Sequence, residues 1–217
     1  MLDELVSSFY AHKDTSKAIP MASYMKNSFP FLGISKPGRV QLEKEFIQAA
    51  KKQQQINWET VFFLWDLPER EFQYAAIDYL LALQKKLAFN DIHTVETLIT
   101  SKSWWDTVDT LASNIVGQLC ISKPELVNSH ILTWAESNNI WLARTAILYQ
   151  LKYKSATNTE ILQRIISKNL GSKEFFINKA IGWMLREYSK TNQAWVKNFL
   201  DTHSLSSLSL REASKYL

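Results

Sequence analysis

The most distinctive stretch of the chain lies at residues 101–109 and reads Ser101-Lys102-Ser103-Trp104-Trp105-Asp106-Thr107-Val108-Asp109. Its apolar residues continue at helical spacing through Val108, Leu111, Ala112 and Ile115. Ser103 is predicted to be the N-cap of this helix, with Asp106 at the third helical position, from which it can reach back to the cap. Trp105 and Asp109 are four residues apart and therefore share one face, whereas Trp104 is expected to point inward.

The same apolar pattern recurs along the chain. A large apolar residue precedes alanine by four positions at Phe72 and Ala76, Val108 and Ala112, Leu142 and Ala146, and Phe176 and Ala180. These alanines are 36, 34 and 34 residues apart. Second helices are predicted between them at about 91–100, 124–135 and 158–168. Paired helices with small residues at their closest approach are typical of an α-solenoid, and no stretch alternates with period two for long enough to predict a strand.

The remaining helices are predicted from caps and breakers. Residues 1–13 and 18–29 are predicted to be short helices, with Pro30 ending the second. Residues 31–34 form an apolar loop in which Gly33 supplies backbone freedom. Ser35 is predicted to cap a helix that ends at about residue 52. Asn57 is predicted to cap the next helix, which the Leu67-Pro68 pair ends. Later helices are predicted at 140–152, 173–188, 192–201 and 208–216. We therefore predict an all-α, right-handed α-solenoid with a concave basic groove, in a single domain over residues 1–217.

Composition excludes several classes of function. A single cysteine, Cys120, excludes a disulfide framework and a cysteine-based zinc site, and its apolar context predicts a buried, inert thiol. The four histidines have no metal-ligand spacing, so neither a metal nor a cofactor is predicted. The N-terminus lacks the basic region of a signal peptide, and no uncharged run could span a bilayer. We expect a cytoplasmic monomer with no membrane partner.

Charge and repeat spacing together indicate a site. Residues 1–100 hold 11 Lys and Arg against 12 Asp and Glu, whereas residues 101–217 hold 14 against 9. A basic excess of this size is compatible with a nucleic-acid partner. Asp109 and Arg144 are 35 residues apart, one repeat period, and Trp183 follows 39 residues later, one period and a helical turn. Residues at the repeat period fall side by side on one surface. Trp65, Trp134 and Trp141 are assigned to the core.

The chain resembles the AlkD-type DNA alkylation repair glycosylases, which have a HEAT-like-repeat fold. The resemblance covers nearly the whole chain, and several segments together make it specific. A departure lies at KPGRV (36–40), which carries one basic residue fewer than the family pattern and puts the groove contacts there in doubt. The matching segments are MASYMKN (21–27), FLGI (31–34), LWDLPEREF (64–72), KSWWDTVD (102–109), NIWLAR (139–144), LKYK (151–154), SKEFFI (172–177) and AIGW (180–183).

The resemblance implies an activity and roles for particular residues. The implied reaction is hydrolysis of the N-glycosidic bond of cationic alkylated purines, of the 3-methyladenine and 7-methylguanine type, in duplex DNA and without base flipping. Asp109 corresponds to the catalytic carboxylate, and Trp105 and Trp183 to the indoles that flank the sugar. Arg144 corresponds to an arginine that contacts phosphate. The other implied DNA-binding residues are Tyr24, Lys36, Arg39, Lys152, Lys154 and Arg186.

The chemistry agrees with these residue types. Cleavage of a glycosidic bond builds positive charge on the sugar, which a nearby carboxylate stabilises and which indole faces favour. A cationic purine leaves as a neutral base, so no general acid is needed. Two alternatives stay open at this stage: a non-catalytic DNA-binding solenoid, against which Asp109 argues, and a protein-binding scaffold of helical repeats, which needs no aligned Asp, Arg and Trp. The lesion preference does not follow from the sequence.

Overall fold

The chain folds into helices joined by short turns and contains no β-strand. The computed structural model describes all residues, 1–217, and it confirms the predicted all-α class. The helices fall into two compact units, Met1–Leu87 and Ala88–Leu217. A single domain over the whole chain, the handedness of the solenoid and its concave groove stay predictions. No helix is both long enough and apolar enough to cross a membrane.

The first unit consists of five α-helices and a short 3₁₀ turn. Asp14, Ser35 and Asn57 cap the second, third and fourth helices, because the side-chain oxygen of each accepts a backbone N–H of the first turn. The caps predicted at Ser35 and Asn57 are confirmed. The elements are α1 (Leu2–Ala11), α2 (Thr15–Tyr24), α3 (Lys36–Lys51), α4 (Trp58–Asp66), α5 (Arg70–Leu83) and the 3₁₀ turn Gln84–Lys86.

The predicted second helix, 18–29, is wrong in both of its boundaries. It begins three residues earlier, because Asp14 accepts the N–H groups of Ser16 and Lys17. It ends at Tyr24, well before Pro30. The reason is local backbone conformation: Lys26 and Asn27 have φ of 58° and 55°. Such left-handed residues leave the helical path.

A buried carboxylate anchors the loop between α2 and α3. Glu71, on α5, accepts the backbone N–H groups of Leu32, Gly33 and Ile34 at 3.0, 2.9 and 3.1 Å. Asp14 N–H donates to the Leu32 carbonyl at 2.8 Å. Gly33 has φ of 91°, which confirms the predicted need for backbone freedom there. The loop is therefore held from both sides by groups that are distant in sequence.

The second unit contains a longer succession of helices, two of them with π-helical segments. Residues 105–122 form one continuous helix through α7 (Trp105–Thr110), the π segment Leu111–Val116 and α8 (Gly117–Ser122). The other elements are α6 (Asp91–Thr100), the π segment Val127–Ile131, α9 (Leu132–Ala135), α10 (Ile140–Leu148), the 3₁₀ turn Lys154–Ala156, α11 (Thr159–Asn169), α12 (Phe175–Ser189), α13 (Gln193–Thr202), α14 (Ser207–Ala213) and the 3₁₀ turn Ser214–Tyr216.

The predicted N-cap at Ser103 is wrong. The cap position of α7 is Trp104, whose side chain makes no capping hydrogen bond. The Ser103 hydroxyl instead donates to the carbonyl of Ile99 at 2.7 Å, so it satisfies a free carbonyl at the end of α6. Trp104 packs against Trp141 and Phe176, as its predicted inward direction requires. The capping role that the sequence suggested for Asp106 stays a prediction.

The first helices of successive repeats run parallel in the second unit. Along the helix at 105–122, Asp109 pairs with Arg144, Asn114 with Lys152, and the Gly117 carbonyl with Tyr153. The residue numbers of the two partners rise together, so the two segments run in the same direction. The helices approach closely at Gly117, where an added Cβ would lie 2.7 Å from the Tyr149 carbonyl oxygen. The four repeat alanines of the two units (Ala76, Ala112, Ala146 and Ala180) are all 0% exposed.

Most of the residues assigned to the core are buried. Trp65 and Trp134 are buried, and Trp141 is half-buried against Trp104 and Phe176. Cys120 is buried as predicted, and burial raises the pKa of its thiol to about 12. The thiolate is therefore scarce at neutral pH, which confirms that the sulfur is poorly suited to nucleophilic chemistry.

Candidate active site

Asp109 lies on α7, just before the π segment Leu111–Val116. Ser113, in that segment, donates its hydroxyl to the backbone carbonyl of Asp109 at 2.8 Å. Short π segments within α-helices occur frequently at functional sites. The Asp109 side chain is 12% exposed, so its carboxylate is largely withdrawn from water but still reachable. This combination singles it out among the acidic residues of the second unit.

Arg144 holds the Asp109 carboxylate in a two-pronged ion pair. Its Nε donates to Asp109 Oδ1 at 2.7 Å and its Nη2 to Oδ2 at 2.8 Å. Its Nη1 donates to the backbone carbonyl of Phe176. The Arg144 side chain is only 4% exposed. One guanidinium therefore joins α7, α10 and α12, and fixes both the position and the plane of the carboxylate.

Opposing effects set the pKa of Asp109. Burial raises it above the ordinary value of 3.8, the hydrogen bonds and positive charge of Arg144 lower it, and the negative charge of Asp106 raises it. The net direction is upward. Arg144 thus offsets part of the effect of burial, which favours the protonated form of the carboxyl group.

The lysine variant of Arg144 tests this balance. An ammonium cannot make the two-pronged contact, so in Arg144→Lys the carboxylate loses stabilisation and the pKa of Asp109 is expected to rise further. The titration of the Asp109 carboxyl group, followed by NMR, is therefore expected to move to higher pH in this variant. Arg164→Lys, at an exposed arginine on α11, is the matched control and should leave that titration in place. An unmoved titration in Arg144→Lys would contradict this role of Arg144.

Aromatic side chains surround the N-terminal ends of α7, α10 and α12. Trp104 lies 5.8 Å from Trp141 and 5.1 Å from Phe176 between ring centroids, and Trp141 lies 5.0 Å from Phe176. The guanidinium carbon of Arg144 is 5.8 Å from the Phe176 ring centroid. The inward direction of Trp104 could be predicted from the sequence, whereas this aromatic cluster could not. It packs beside the ion pair and lowers the local access of water to it.

The two indoles predicted to flank a sugar are both half-buried. Trp105 stands one turn before Asp109 on α7, so it lies on the same helical face. Trp183 lies on α12, seven residues beyond Phe176, which corresponds to about 10.5 Å along the helix axis. Both therefore belong to the second unit, as Asp109 does.

The predicted DNA-binding cations of the second unit differ in their surroundings. Lys152 and Lys154 are exposed. Arg186, on α12, instead donates to Glu212 at 2.8 Å. Glu212 is buried and also pairs with Lys179 and Lys215, each at 2.8 Å. The hydrogen bonds from Lys179 and Lys215 hold the pKa of Glu212 down at about 2. No feature of the sequence pointed to Glu212, which lies outside the repeated pattern.

The three remaining predicted residues belong to the first unit. Tyr24 is 70% exposed and Lys36 is exposed. Arg39 is buried; it pairs with Glu43 at 2.9 Å and Asp78 at 2.8 Å, and its guanidinium carbon lies 4.9 Å from the Tyr74 ring centroid. That environment gives Arg39 a structural role within its own unit. Burial raises the pKa of Glu43 and the negative charge of Asp78 raises it further, whereas the positive charge of Arg39 lowers it.

A comparison with protein families decides the classification. The family described as DNA alkylation repair enzyme matches residues 5–217. The chain belongs to this family. A solved structure described as a predicted DNA alkylation repair enzyme from Enterococcus faecalis superposes with a TM-score of 0.88, at 33% identity, over 95% of this chain and 97% of that one. The chain therefore shares its family and its fold with that protein.

More distant solved structures agree in fold. AlkD2 from Streptococcus mutans superposes with a TM-score of 0.62 at 19% identity, over 80% of this chain and 89% of that one. The protein smu.31 from Streptococcus mutans UA159 gives a TM-score of 0.60 at 18% identity, over 82% and 96%. No protein with curated annotation is significantly similar in sequence. The family membership makes this chain a DNA alkylation repair protein, as the sequence resemblance predicted.

Proposed function

We propose that this family member is a DNA glycosylase that hydrolyses the N-glycosidic bond of cationic alkylated purines, of the 3-methyladenine and 7-methylguanine type, in duplex DNA. The observation that carries the proposal is the Asp109 carboxylate, largely buried yet reachable and held at 2.7 and 2.8 Å by Arg144. Family membership supplies the DNA partner. No metal or cofactor takes part. The monomeric state and the cytoplasmic location stay predictions.

The carboxylate acts on the sugar. As the glycosidic bond breaks, positive charge develops on the deoxyribose in an oxocarbenium-like transition state. A fixed anion beside the anomeric carbon stabilises that charge, and the stabilisation is larger where water is excluded. The same carboxylate can hold the water that attacks the anomeric carbon. Because Arg144 already fixes its orientation, the carboxylate needs little reorganisation when the reaction begins.

The leaving base determines which lesions are substrates. A purine alkylated at N3 or N7 is a cation in DNA and departs as a neutral base. The site then needs no general acid, and a single carboxylate is sufficient. We therefore propose that selectivity arises from the charge of the base rather than from a pocket that encloses it, and that the lesion stays in the duplex.

The other predicted residues have supporting roles in this proposal. Trp105 and Trp183 flank the sugar, where their indole faces favour the developing cation by roughly 0.5–2 kcal/mol each. Lys152 and Lys154 contact the DNA backbone, and the exposed Tyr24 and Lys36 are further DNA contacts predicted from the family resemblance. Arg39 and Arg186, which the resemblance also places at the DNA, are held by carboxylates within the protein and are not proposed as contacts. For Arg144 we favour the positioning of Asp109, although two of its five N–H groups are left over for a phosphate.

A neutral lesion analogue tests the proposal. One duplex carries 7-methylguanine and its partner duplex carries 7-methyl-7-deazaguanine, which has the same shape but no positive charge. Free-base release is measured for both under single-turnover conditions. We expect release from the first duplex alone, with equal affinity for the two. Release of both bases at similar rates would contradict catalysis that depends on a cationic leaving group.

A further inference from the structure

Lys152 has an unusual anchor for an exposed lysine. Its Nζ donates to Asn114 Oδ1 at 2.6 Å. The amide nitrogen of Asn114 donates in turn to the Thr110 carbonyl at 2.9 Å and to Ser113 Oγ at 3.2 Å. These two hydrogen bonds fix the orientation of the amide group, so its oxygen points at the lysine. Asn114 belongs to the π segment that follows Asp109.

The segment around Lys152 is also held against the same helix. The Tyr153 hydroxyl donates to the Gly117 carbonyl at 2.7 Å, and burial raises the pKa of that tyrosine. Lys154 follows with φ of 53°, a left-handed conformation that a non-glycine residue adopts only when its surroundings enforce it. The two exposed lysines thus flank a half-buried tyrosine whose hydroxyl fixes the segment in place.

The charge of Lys152 is not neutralised within the protein. Arg39, Arg144 and Arg186 each pair with a carboxylate, whereas the partner of Lys152 is a neutral amide. An ammonium has three N–H donors, so two are left for an anion. Asn114 lies five residues beyond Asp109, about 7.5 Å along the helix axis. A cation is therefore held beside the candidate active site with its charge available.

We propose that Asn114 is a positioning residue, which fixes the ammonium of Lys152 for a backbone phosphate next to the nucleotide whose sugar faces Asp109. This inference rests on the proposed function, because it assigns the DNA strand to the Asp109 face. Asn114 itself does not touch the DNA. It restrains a long side chain before binding, and this reduces the entropy that the complex would otherwise lose.

A double-mutant cycle on duplex binding tests the inference. The affinity for undamaged duplex is measured by fluorescence anisotropy over a range of salt concentrations. Lys152→Gln is expected to flatten the slope of log affinity against log salt by about 0.9, as the loss of one phosphate contact does. Asn114→Ala should weaken binding by about 2- to 10-fold with the slope retained, because one side chain is no longer restrained. In the Lys152→Gln background, Asn114→Ala should have no further effect.

Two further variants sharpen the cycle. Lys168→Gln removes one exposed charge from α11, where the lysine pairs with Glu136, and should leave the salt slope within error. Asn114→Asp keeps the side-chain shape but neutralises Lys152 by an ion pair, and should flatten the slope as Lys152→Gln does. Equal weakening by Asn114→Ala in both backgrounds, or no weakening in either, would overturn the positioning role.

The failure of this inference and that of the proposed function can be told apart. Coupling between Asn114 and Lys152 in duplex binding, combined with no base release by the wild-type protein, supports the positioning role and rejects the glycosylase. Base release without coupling supports the glycosylase and rejects the positioning role. Absence of any salt-dependent duplex binding by the wild-type protein rejects both.

Discussion

Asp109→Asn is expected to lower the single-turnover rate of 7-methylguanine release by a factor on the order of 10²–10³. The amide keeps the shape of the side chain but removes the negative charge that stabilises the sugar cation. Affinity for duplex DNA should hold or rise, since a negative charge leaves a surface that binds phosphates. Rate and affinity are measured separately, at saturating protein for the rate and on undamaged duplex for the affinity.

The matched control is Asp106→Asn on the same helix. It removes the same charge three residues earlier on α7 and should change the rate only a few-fold. Asp109→Asn also leaves the buried Arg144 without its anion, and breaking one side of a buried ion pair typically destabilises a protein by about 3–5 kcal/mol. Thermal unfolding and duplex binding of the variant must therefore show that it is folded. A folded Asp109→Asn variant with the wild-type rate would remove Asp109 from the mechanism.

Gly33→Ala is expected to destabilise the first unit strongly without touching the candidate site. A Cβ at this position would lie 2.0 Å from the Asp14 carbonyl oxygen and 2.8 Å from the Ala18 nitrogen. Both are backbone atoms of the second-helix region and cannot rotate away. The φ of 91° adds strain for any residue with a side chain. We expect a loss of about 3–5 kcal/mol in the free energy of unfolding, measured by urea denaturation.

Gly171→Ala separates the two sources of this loss. Gly171 also has a positive φ, 80°, but an added Cβ there would meet no atom within 4 Å. Its replacement carries the conformational strain alone and should destabilise by about 1–2 kcal/mol. Similar losses for the two variants would show that the close approach at Gly33 relaxes without penalty.

Local chemistry explains which parts of the fold could be predicted from the sequence. The caps at Ser35 and Asn57 depend on hydrogen bonds within one turn, so the sequence contains all that is needed. Ser103 has the same composition signal but belongs to the previous helix, because its hydroxyl bonds to the Ile99 carbonyl. A serine hydroxyl can accept from an N–H of the following helix or donate to a carbonyl of the preceding one. Which group is nearer depends on tertiary packing.

The repeat spacing could predict the neighbourhood of the candidate site but not its bonds. Asp109 and Arg144 are one repeat period apart in sequence, which predicts that they lie side by side in the fold. It could not show that the guanidinium is buried and bonded to that carboxylate, since this depends on side-chain direction and on the Phe176 carbonyl of a third helix. Arg39 likewise reads as a surface cation, yet Glu43 and Asp78 enclose it. Asn114 carries no motif and is visible only through its contact with Lys152.

The most direct test of the account is the identity of the product. A duplex with a single labelled 7-methylguanine is incubated with excess wild-type protein, and the base and the strand are analysed by mass spectrometry. We expect free 7-methylguanine and an equal amount of abasic strand, both abolished on this timescale in a folded Asp109→Asn variant. A bound duplex that keeps its 7-methylguanine, or one in which the methyl group is lost and guanine remains, would contradict the proposed glycosylase.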